Sequence, residues 1–341
     1  MVLGKIIVSM DSISHLKIIN WGIIGCGDVT EIKSGPAFNK VNNSAFVAVM
    51  RRDAAKAKDY ALRHNIPRWY KDAAELINDP EVNAVYIATP PSSHEALSIA
   101  AMNAGKHVYV EKPMALNYAA ACNMAKTANE KNVKLVVAHY RRAQPFFNKI
   151  KQLITDKAIG EIRFARMEFY RPGYSKSDLA MPGKAWRVDP TISGGGIFHD
   201  LAPHQLDLMV YFFGPVKKVS GMAVNQAGMY TADDMVSGTI LFENNIIFNG
   251  TWCFNAAPDL STDLCEIIGS EGKISFSVFN NITFTVKTEE GSSVYSFDAF
   301  QHVQQPMIQR TVHYFLGEGP NPCSGVEGAE VMRLIDTIVK K

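Results

Sequence analysis

The sequence predicts an α/β fold in two parts: a doubly wound parallel sheet at the N-terminus, then an α+β domain built on a large, mainly antiparallel open sheet. Up to about residue 138, short apolar runs alternate with segments of helical apolar spacing, which is typical of parallel strands covered by helices on both faces. Between residues 216 and 297, strand-like segments follow one another directly, which favours antiparallel hairpins. A chain of 341 residues also fits about two domains, since domains hold roughly 150 residues each. We expect residues 1–140 to form the first domain and residues 141–341 the second.

In the first domain, apolar runs rich in Val and Ile predict strands that are buried on both faces. The predicted strands are residues 18–24, 45–50, 84–88, 107–110 and 134–138. The helices predicted between them are residues 54–64, 73–78, 93–104 and 118–129. This alternation places the carboxyl ends of the strands along one edge of the sheet, where open α/β sheets bind their ligands.

In the second domain, a long loop rich in Pro and Gly separates the first predicted strand from the second helix. The predicted helices are residues 146–154, 197–213 and 327–339. The predicted strands are residues 161–170, 219–224, 235–242, 246–254, 265–268, 273–278 and 282–287. A sheet with one bare face tends to be covered by a partner subunit, so we expect a homodimer or homotetramer that associates through this sheet.

The composition excludes several classes of protein. Lys and Arg number 35 against 33 Asp and Glu, without a concentrated basic segment, which disfavours a nucleic-acid binder. A hydrophobic content of 47% allows a sizeable core. No apolar run is long enough to span a membrane, and Asp11 interrupts the N-terminal segment before a signal-peptide core could form. Five widely spaced cysteines without a Cys-x-x-Cys motif argue against a disulfide framework or structural zinc. We expect a cytoplasmic protein.

The first motif with chemical content is Gly25-Cys26-Gly27-Asp28-Val29-Thr30, which follows the first strand and opens a helical segment. Glycines let the backbone turn tightly and approach a pyrophosphate, whose charge is met by amides at a helix N-terminus. We therefore expect Gly25, Gly27, Asp28 and Val29 to bind a dinucleotide, although an ordinary turn is the alternative. Thr30 stands where a small residue is usual, which predicts a looser contact between helix and strand.

The end of the second strand bears on the choice of dinucleotide. An acidic residue there would hold the 2′-hydroxyl of NAD, but this sequence has Arg51 and Arg52. A guanidinium suits a 2′-phosphate and cannot accept a hydrogen bond from a hydroxyl. We therefore expect NADP to be favoured, with NAD possible, and only one of the two arginines needs to point inward.

Two further strand ends carry polar residues that face the same edge. Thr89, Pro90 and His94 follow the strand at 84–88, and Glu111 and Lys112 follow the strand at 107–110. We expect these five residues to contact the cofactor. Pro113 biases Lys112 to an extended backbone, which places its side chain toward a pocket. A solvated Glu-Lys pair is the alternative.

The most informative segment is residues 193–207, where three glycines precede a predicted helix. At about 100° per residue, Asp200 and His204 lie roughly 40° apart on one face, and a carboxylate one turn from an imidazole can orient it and tune its pKa. His199 and His204 are about 140° apart, which excludes a shared metal ion. We expect the glycines to allow close approach by a ligand rather than to serve packing. A buried structural histidine is the alternative.

From Ile18 to the C-terminus, the sequence resembles the glucose–fructose oxidoreductase / inositol dehydrogenase / MocA (Gfo/Idh/MocA) family. The matching segments are the glycine turn, Thr89-Pro90-x-x-x-His94, residues 104–113 with their Glu111-Lys112-Pro113, Trp186-Arg187, and the glycines with Asp200 and His204. Arg51 and Thr30 depart from the usual pattern, and Arg51 resembles the NADP-using branch, which includes dihydrodiol dehydrogenases and anhydrofructose reductases. Residues 1–16 have no functional interpretation.

The resemblance implies a Rossmann domain and a nicotinamide-dependent dehydrogenase or reductase that acts on a sugar, cyclitol or related diol. It places the catalytic groups on Lys112, Asp200 and His204: His204 exchanges the hydroxyl proton, Asp200 orients His204, and Lys112 stabilises the alkoxide. Tyr140, Arg141 and Arg187 are expected to contact substrate hydroxyls. The alternatives are a non-enzymatic NAD(P)-binding regulator, and a glycoside hydrolase of the same family that uses NAD without net redox. The Lys112–Pro113 bond is a candidate for the cis form.

Overall fold

The computed structural model describes residues 16–340, so the predictions for the N-terminal segment lie largely outside the described residues. Within this range, a parallel sheet has the strand order β3-β2-β1-β4-β5-β6. Its strands are β1 (Ile19–Ile24), β2 (Ser44–Met50), β3 (Arg68–Tyr70), β4 (Ala84–Ile87), β5 (His107–Val110) and β6 (Leu135–Val137). Its central strands are almost wholly buried, as expected for a sheet covered by helices on both faces.

The register of this sheet aligns the carboxyl ends of its strands. Ile24 pairs with both Met50 and Ile87, Ile87 pairs with Val110, and Val110 pairs with Val137. The residues that follow these five positions therefore lie in a row along one edge. Because this edge collects the polar motifs of the sequence, it positions the candidate site.

The second sheet of the described chain is mostly antiparallel and has the order β14-β13-β12-β11-β7-β10-β9-β8, with only β7 and β10 parallel. Its strands are β7 (Ile162–Tyr170), β8 (Val216–Val224), β9 (Met235–Phe242), β10 (Ile247–Cys253), β11 (Thr262–Gly269), β12 (Gly272–Phe276), β13 (Thr283–Thr288) and β14 (Gly291–Ser296). The predicted fold class, a doubly wound parallel sheet followed by an α+β domain on a large, mainly antiparallel sheet, is confirmed.

The helices match the predicted positions closely, and the predicted helix at 197–213 has the observed bounds. The α-helices are α1 (Asp28–Ile32), α2 (Ala54–Arg63), α3 (Ala73–Ile77), α4 (His94–Asn103), α5 (Tyr118–Glu130), α6 (Pro145–Thr155), α7 (Lys176–Leu179), α8 (Pro182–Ala185), α9 (Pro190–Ser193), α10 (Ile197–Phe213), α11 (Gln305–Leu316) and α12 (Gly325–Ile338). Helices α6 and α10 cover one face of the second sheet, where the ring of Phe147 contacts Phe276 and that of Phe198 contacts Trp252.

Six of these elements were not predicted: the short helices α7, α8 and α9, which lie in the predicted long loop, and β3, β14 and α11. β3 and β14 are short edge strands rich in charged or small polar residues, and such edges lack the continuous apolar run of a central strand. α11 does show helical apolar spacing at Met307, Ile308 and Phe315, all buried, so its signal was present in the sequence.

The end of the chain returns to the first sheet. α12 packs against α5, and the Val137 amide donates to the carbonyl of Cys323. Near the start of α11, Gln304 contacts residues of β4 and β5. The predicted division at residue 140 stays a prediction, and the last part of the chain contacts both sheets.

Candidate active site

The glycine turn after β1 leaves backbone groups open at the sheet edge. Gly25 has φ +96°, and a Cβ there would lie 2.9 Å from the carbonyl of Ala88 and 2.8 Å from Thr89 Cγ2, so a larger residue is excluded. A Cβ on Gly27 would meet only the Gly25 carbonyl at 4.0 Å, and Gly27 makes no side-chain cap at the start of α1. The Gly25 and Cys26 amides donate to the Met50 carbonyl at 3.0 and 3.4 Å, whereas the space beside Gly27 at the start of α1 is open, which suits the close approach of a pyrophosphate.

The residues after Gly27 hold the turn in place. Asp28 is exposed and Val29 is half-buried on the first turn of α1. Thr30 is fully buried, and its hydroxyl donates to the Gly27 carbonyl at 2.8 Å, while the Tyr60 hydroxyl donates to the Thr30 carbonyl at 2.7 Å. Thr30 is therefore held by the turn and by Tyr60, and the expected looser contact between helix and strand stays a prediction.

The two arginines after β2 have different surroundings. Arg51 is half-buried and donates from Nη1 to the Cys26 carbonyl at 2.9 Å, so its guanidinium lies over the glycine turn. Arg52 is exposed, without a side-chain bond to any residue in 16–340. Asp53, the nearest acidic residue, caps α2 by accepting from the Lys56 amide. Only Arg51 of the pair is thus directed at the dinucleotide turn.

The Thr89–His94 loop follows β4. The Ser93 hydroxyl donates to Thr89 Oγ1 at 2.7 Å, and Pro90 precedes a 3₁₀ turn. His94 is fully buried, with Nδ1 2.9 Å from the Pro113 carbonyl and Nε2 2.7 Å from the Thr89 carbonyl. Burial lowers the pKa of His94. A neutral imidazole donates from only one nitrogen, so one of these two contacts is a hydrogen bond and the other is a close approach to a carbonyl oxygen. The ring therefore lies between two strand ends, and the predicted cofactor contact of His94 stays a prediction.

Glu111 differs from the prediction. Its carboxylate accepts from the Tyr86 hydroxyl and from Gln304 Nε2, and Gln304 in turn accepts from the Tyr109 hydroxyl at 2.9 Å. This network is buried beneath the sheet edge. The Glu111 carboxylate thus serves an internal network, and only the backbone of the residue remains for the predicted contact with a cofactor.

Lys112, which follows β5 of the first sheet, links that sheet to α10. Its Nζ lies 2.9 Å from both the carbonyl oxygen and Oδ1 of Asp200 on α10, and Oδ2 of Asp200 accepts from Arg187 Nε at 3.2 Å. Burial opposes ionisation of Asp200, but Lys112 and Arg187 outweigh it and hold the pKa of this carboxyl below its usual value. The Lys112–Pro113 peptide is cis, as the sequence suggested.

His204 lies one turn beyond Asp200 and is 5% exposed. Its ring meets Tyr140 and Phe279 edge-on, at 5.2 and 5.6 Å between centroids. Burial, then the charges of Lys112 and Arg141, hold the pKa of His204 well below its ordinary value, so the imidazole is neutral at neutral pH. Its Nδ1 has no hydrogen-bond partner among the described residues.

The predicted orientation of His204 by Asp200 is wrong. Both carboxylate oxygens of Asp200 are used by Lys112 and Arg187, and no hydrogen bond joins Asp200 to His204 within residues 16–340. The helical spacing does place the two residues on one face, but cations from other elements take the carboxylate first.

The three glycines before α10 pack more tightly than expected. A Cβ on Gly195 would lie 2.1 Å from the His199 ring, and one on Gly196, at φ +89°, would lie 2.4 Å from the Ala232 Cβ. Gly194, at φ +93°, approaches the Leu116 carbonyl. The expectation that these glycines lack a packing role is wrong, since they let the loop close over His199 and its neighbours.

Tyr140 and Arg141 follow β6 and border the same space as His204. The Arg141 guanidinium carbon lies 4.7 Å from the Phe279 ring centroid and 5.3 Å from that of Tyr140. Arg187 lies farther out, against Trp186 at 4.6 Å, and its Nη1 donates to the Gly183 carbonyl. The structure thus brings Lys112, Asp200, His204, Tyr140, Arg141 and Arg187 together.

Sequence reasoning missed a second buried charge cluster behind this site. Arg142 Nε lies 2.9 Å from both carboxylate oxygens of Asp207, and its Nη1 donates to Glu327 of α12. His139, whose pKa burial lowers to about 4, lies 3.8 Å from Asp207. His139 directly follows the predicted strand end, which was the available signal. Phe279 gave none, because it lies in a loop after β12.

Two further kinds of feature, a metal site and a membrane-spanning helix, are absent from the described residues. No group of three or more His, Cys, Asp and Glu side chains in residues 16–340 is placed to hold a metal ion. In the same range, no helix has the length and apolar character needed to cross a membrane.

Taken together, a parallel sheet with an open glycine turn, and a lysine and a neutral histidine near its carboxyl edge, define a nicotinamide-dinucleotide-dependent oxidoreductase. Residues 19–139 match the oxidoreductase family with an NAD-binding Rossmann fold, and residues 147–275 match the GFO/IDH/MocA C-terminal domain. The chain belongs to the Gfo/Idh/MocA family.

Relatives of the chain extend over most of its length. "Oxidoreductase P35" of Formosa agariphila is 46% identical over 318 residues, which cover 93% of this chain and 97% of that protein. The trans-1,2-dihydrobenzene-1,2-diol dehydrogenase of Oryctolagus cuniculus is 28% identical over 75% of this chain and 73% of its own length. A levoglucosan dehydrogenase in complex with NADH shares the fold, with a TM-score of 0.85 at 22% identity over 94% of this chain and 95% of that one.

Proposed function

We propose that the protein is an NADP-preferring dehydrogenase or reductase that acts on a carbinol or carbonyl carbon of a sugar, cyclitol or related diol. The observation that carries this proposal is the convergence of Lys112 from the first sheet and His204 from α10 at one site. Family membership and the names of the relatives support the substrate class, and the Arg51 guanidinium over the glycine turn supports NADP.

In this proposal, the backbone amides of Gly27, Asp28 and Val29 hold the pyrophosphate, and Gly25 permits the tight turn that brings it close. Thr89, Pro90 and the backbone of Glu111 border the nicotinamide. When bound, the nicotinamide accepts or supplies the hydride. His204, neutral at working pH, takes the hydroxyl proton during oxidation and returns it during reduction. Lys112 stabilises negative charge on the substrate oxygen, and Asp200 positions Lys112 through the two 2.9 Å contacts.

Fluorescence titration of the full chain with NADPH and NADH tests the cofactor, and assays of sugars, cyclitols and aromatic dihydrodiols, followed by reduced-nicotinamide absorbance, test the reaction. We expect tight binding of NADPH and net change of its redox state with at least one substrate class. Hydrolysis of a glycoside without net redox would favour the NAD-dependent hydrolase instead. Cofactor binding without any turnover would favour the regulator.

Replacing Arg51 by Ala should raise the Kd for NADPH about 10- to 100-fold, because a charge-assisted hydrogen bond to a phosphate is lost. The Kd for NADH should change little, since NADH has no 2′-phosphate. Arg52→Ala is the matched control, because Arg52 is exposed and its side chain bonds no residue in the described range. Equal losses of NADPH and NADH affinity in Arg51→Ala would show that Arg51 only supports the turn.

The low pKa of His204 predicts the pH profile of oxidation. A general base works in its neutral form, so activity is lost as pH falls through its pKa. Because burial and Lys112 lower that pKa well below its ordinary value, kcat/KM for oxidation should stay level from pH 8 down past about pH 6.5. Measurement in buffers of constant ionic strength checks this. An acid limb above the ordinary histidine pKa would contradict it.

We further propose a cytoplasmic homodimer or homotetramer that associates through the second sheet. On the sheet face opposite α6 and α10, Phe164 of β7 and Ile247 of β10 are paired neighbours and are exposed to 39% and 42%. Apolar exposure on this scale is typical of surfaces that contact a partner.

A further inference from the structure

Arg141 is a buried cation without an anionic partner. Its residue is 6% exposed, its Nε has no hydrogen-bond partner, and it forms no ion pair among the described residues. Its sequence neighbour Arg142, equally buried, is neutralised by Asp207 and Glu327. Buried charges are normally paired, because removing an ion from water costs several kcal/mol. Arg141 therefore stands out as a group that lacks a counter-charge in the protein itself.

Aromatic rings hold the Arg141 guanidinium without neutralising it. The rings of Phe279, Tyr140 and Phe147 lie 4.7, 5.3 and 5.9 Å from its central carbon. Such contacts orient a cation and exclude water, and their energy is well below that of a carboxylate pair. The guanidinium is thus fixed in direction while its hydrogen-bond donors remain available.

The same rings connect Arg141 to the reacting centre. Tyr140 and Phe279 both also contact the His204 ring, at 5.2 and 5.6 Å, so Arg141 and His204 border one space. A substrate whose carbinol carbon lies at His204 would therefore extend along these two rings toward Arg141.

Arg141 differs from the other two cations of the site in its partners. Lys112 and Arg187 both bind the Asp200 carboxylate, whereas no ion pair of Arg141 is found in residues 16–340. A neutral polyol would leave the Arg141 guanidinium without an anionic partner, whereas a negative charge on the substrate would pair with it, since its planar fork matches a carboxylate.

We infer that the substrate is an acid, a uronic-acid-type or aldonic-acid-type sugar whose carboxylate pairs with Arg141. This inference rests on the proposed function and narrows its substrate class from sugars in general to anionic ones. Arg141 then decides specificity rather than taking part in the hydride or proton transfer.

The test uses the full chain loaded with NADPH and measures binding of matched pairs: D-glucuronate with D-glucose, and D-galactonate with galactitol. Quenching of bound NADPH fluorescence reports ternary binding without requiring turnover. We expect at least one carboxylate to bind about 10- to 100-fold more tightly than its neutral partner, and Arg141→Leu to remove that preference by weakening the carboxylate more than the neutral partner. Arg141→Lys should retain part of the preference for carboxylates.

Arg171→Leu is the matched control, because Arg171 also lies over Phe279, at 5.7 Å, but is exposed. The acid preference should survive in this variant. Equal binding of acids and neutral partners, absence of carboxylate binding, or a preference that persists in Arg141→Leu would overturn the inference. Tighter binding of glucose 6-phosphate than of either acid would also overturn the assignment to a carboxylate. Failure to bind NADPH at all would instead refute the proposed function.

Discussion

His204→Asn should lower kcat by roughly 10²- to 10⁴-fold, because the site loses the group that exchanges the hydroxyl proton. Asn preserves approximate size and polarity between the Tyr140 and Phe279 rings, so the surrounding packing should persist. The Kd for NADPH should remain nearly unchanged, since the dinucleotide turn lies on the other sheet. Turnover of the best substrate and fluorescence titration of NADPH, measured on the same preparation, check both expectations.

A control separates chemistry from loss of fold. His107 lies at the start of β5, beside Phe315 and away from the site, and burial also lowers its pKa to about 4. His107→Asn therefore tests what replacing a largely buried histidine does outside the active site. We expect His107→Asn to retain kcat. If His204→Asn kept kcat within about threefold of the wild type, the assignment of His204 as the proton-exchanging group would be wrong.

Asp207→Asn should reduce the free energy of unfolding by about 3 kcal/mol, because it removes the negative charge from a buried ion pair and leaves Arg142 undercompensated. Asp207 is 1% exposed and Arg142 is 3% exposed, so water cannot replace the lost partner. Glu327 still contacts Arg142, but its side chain is 40% exposed and replaces only part of the pair. Chemical denaturation followed by far-ultraviolet circular dichroism measures the change.

Glu161→Gln provides the comparison for this stability measurement. It also removes one carboxylate from an ion pair, but Glu161 and Lys157 are both largely exposed, and such pairs contribute little. A double variant, Arg142→Met with Asp207→Leu, should recover part of the loss, because it removes both charges from the interior. Equal denaturation midpoints for Asp207→Asn and the wild type would show that the pair does not stabilise the fold.

The parallel sheet was predictable because its strands are short, apolar and separated by helices, so pattern and burial agree. The edge that carries the site was predictable for the same reason: the ends of parallel strands meet, and Gly25, Arg51, Thr89 and Lys112 all follow such ends. The edge strands β3 and β14 were not predictable, because a strand at the edge of a sheet needs few apolar residues. Its formation depends on pairing with a neighbouring strand, which the local sequence does not show.

Within the site, the identities of the residues were easier to predict than their partners. Helical geometry correctly places Asp200 and His204 on one face, but Lys112, 88 residues away in the sequence, determines where the Asp200 carboxylate bonds. His94 and Glu111 show the same limit. Each follows a strand end, yet each turns its side chain inward to carbonyls or to Gln304, and local sequence does not encode such distant contacts.

The return of the chain to its first sheet affects the order of folding. Gln304 completes the buried network of Glu111 and Tyr109, and Ser324 pairs with Val136 beside β6. These contacts come from residues that are synthesised after the whole of the first sheet. The nucleotide-binding half therefore acquires them only once α11 and the start of α12 have been made, and an N-terminal fragment cut before α11 would lack them.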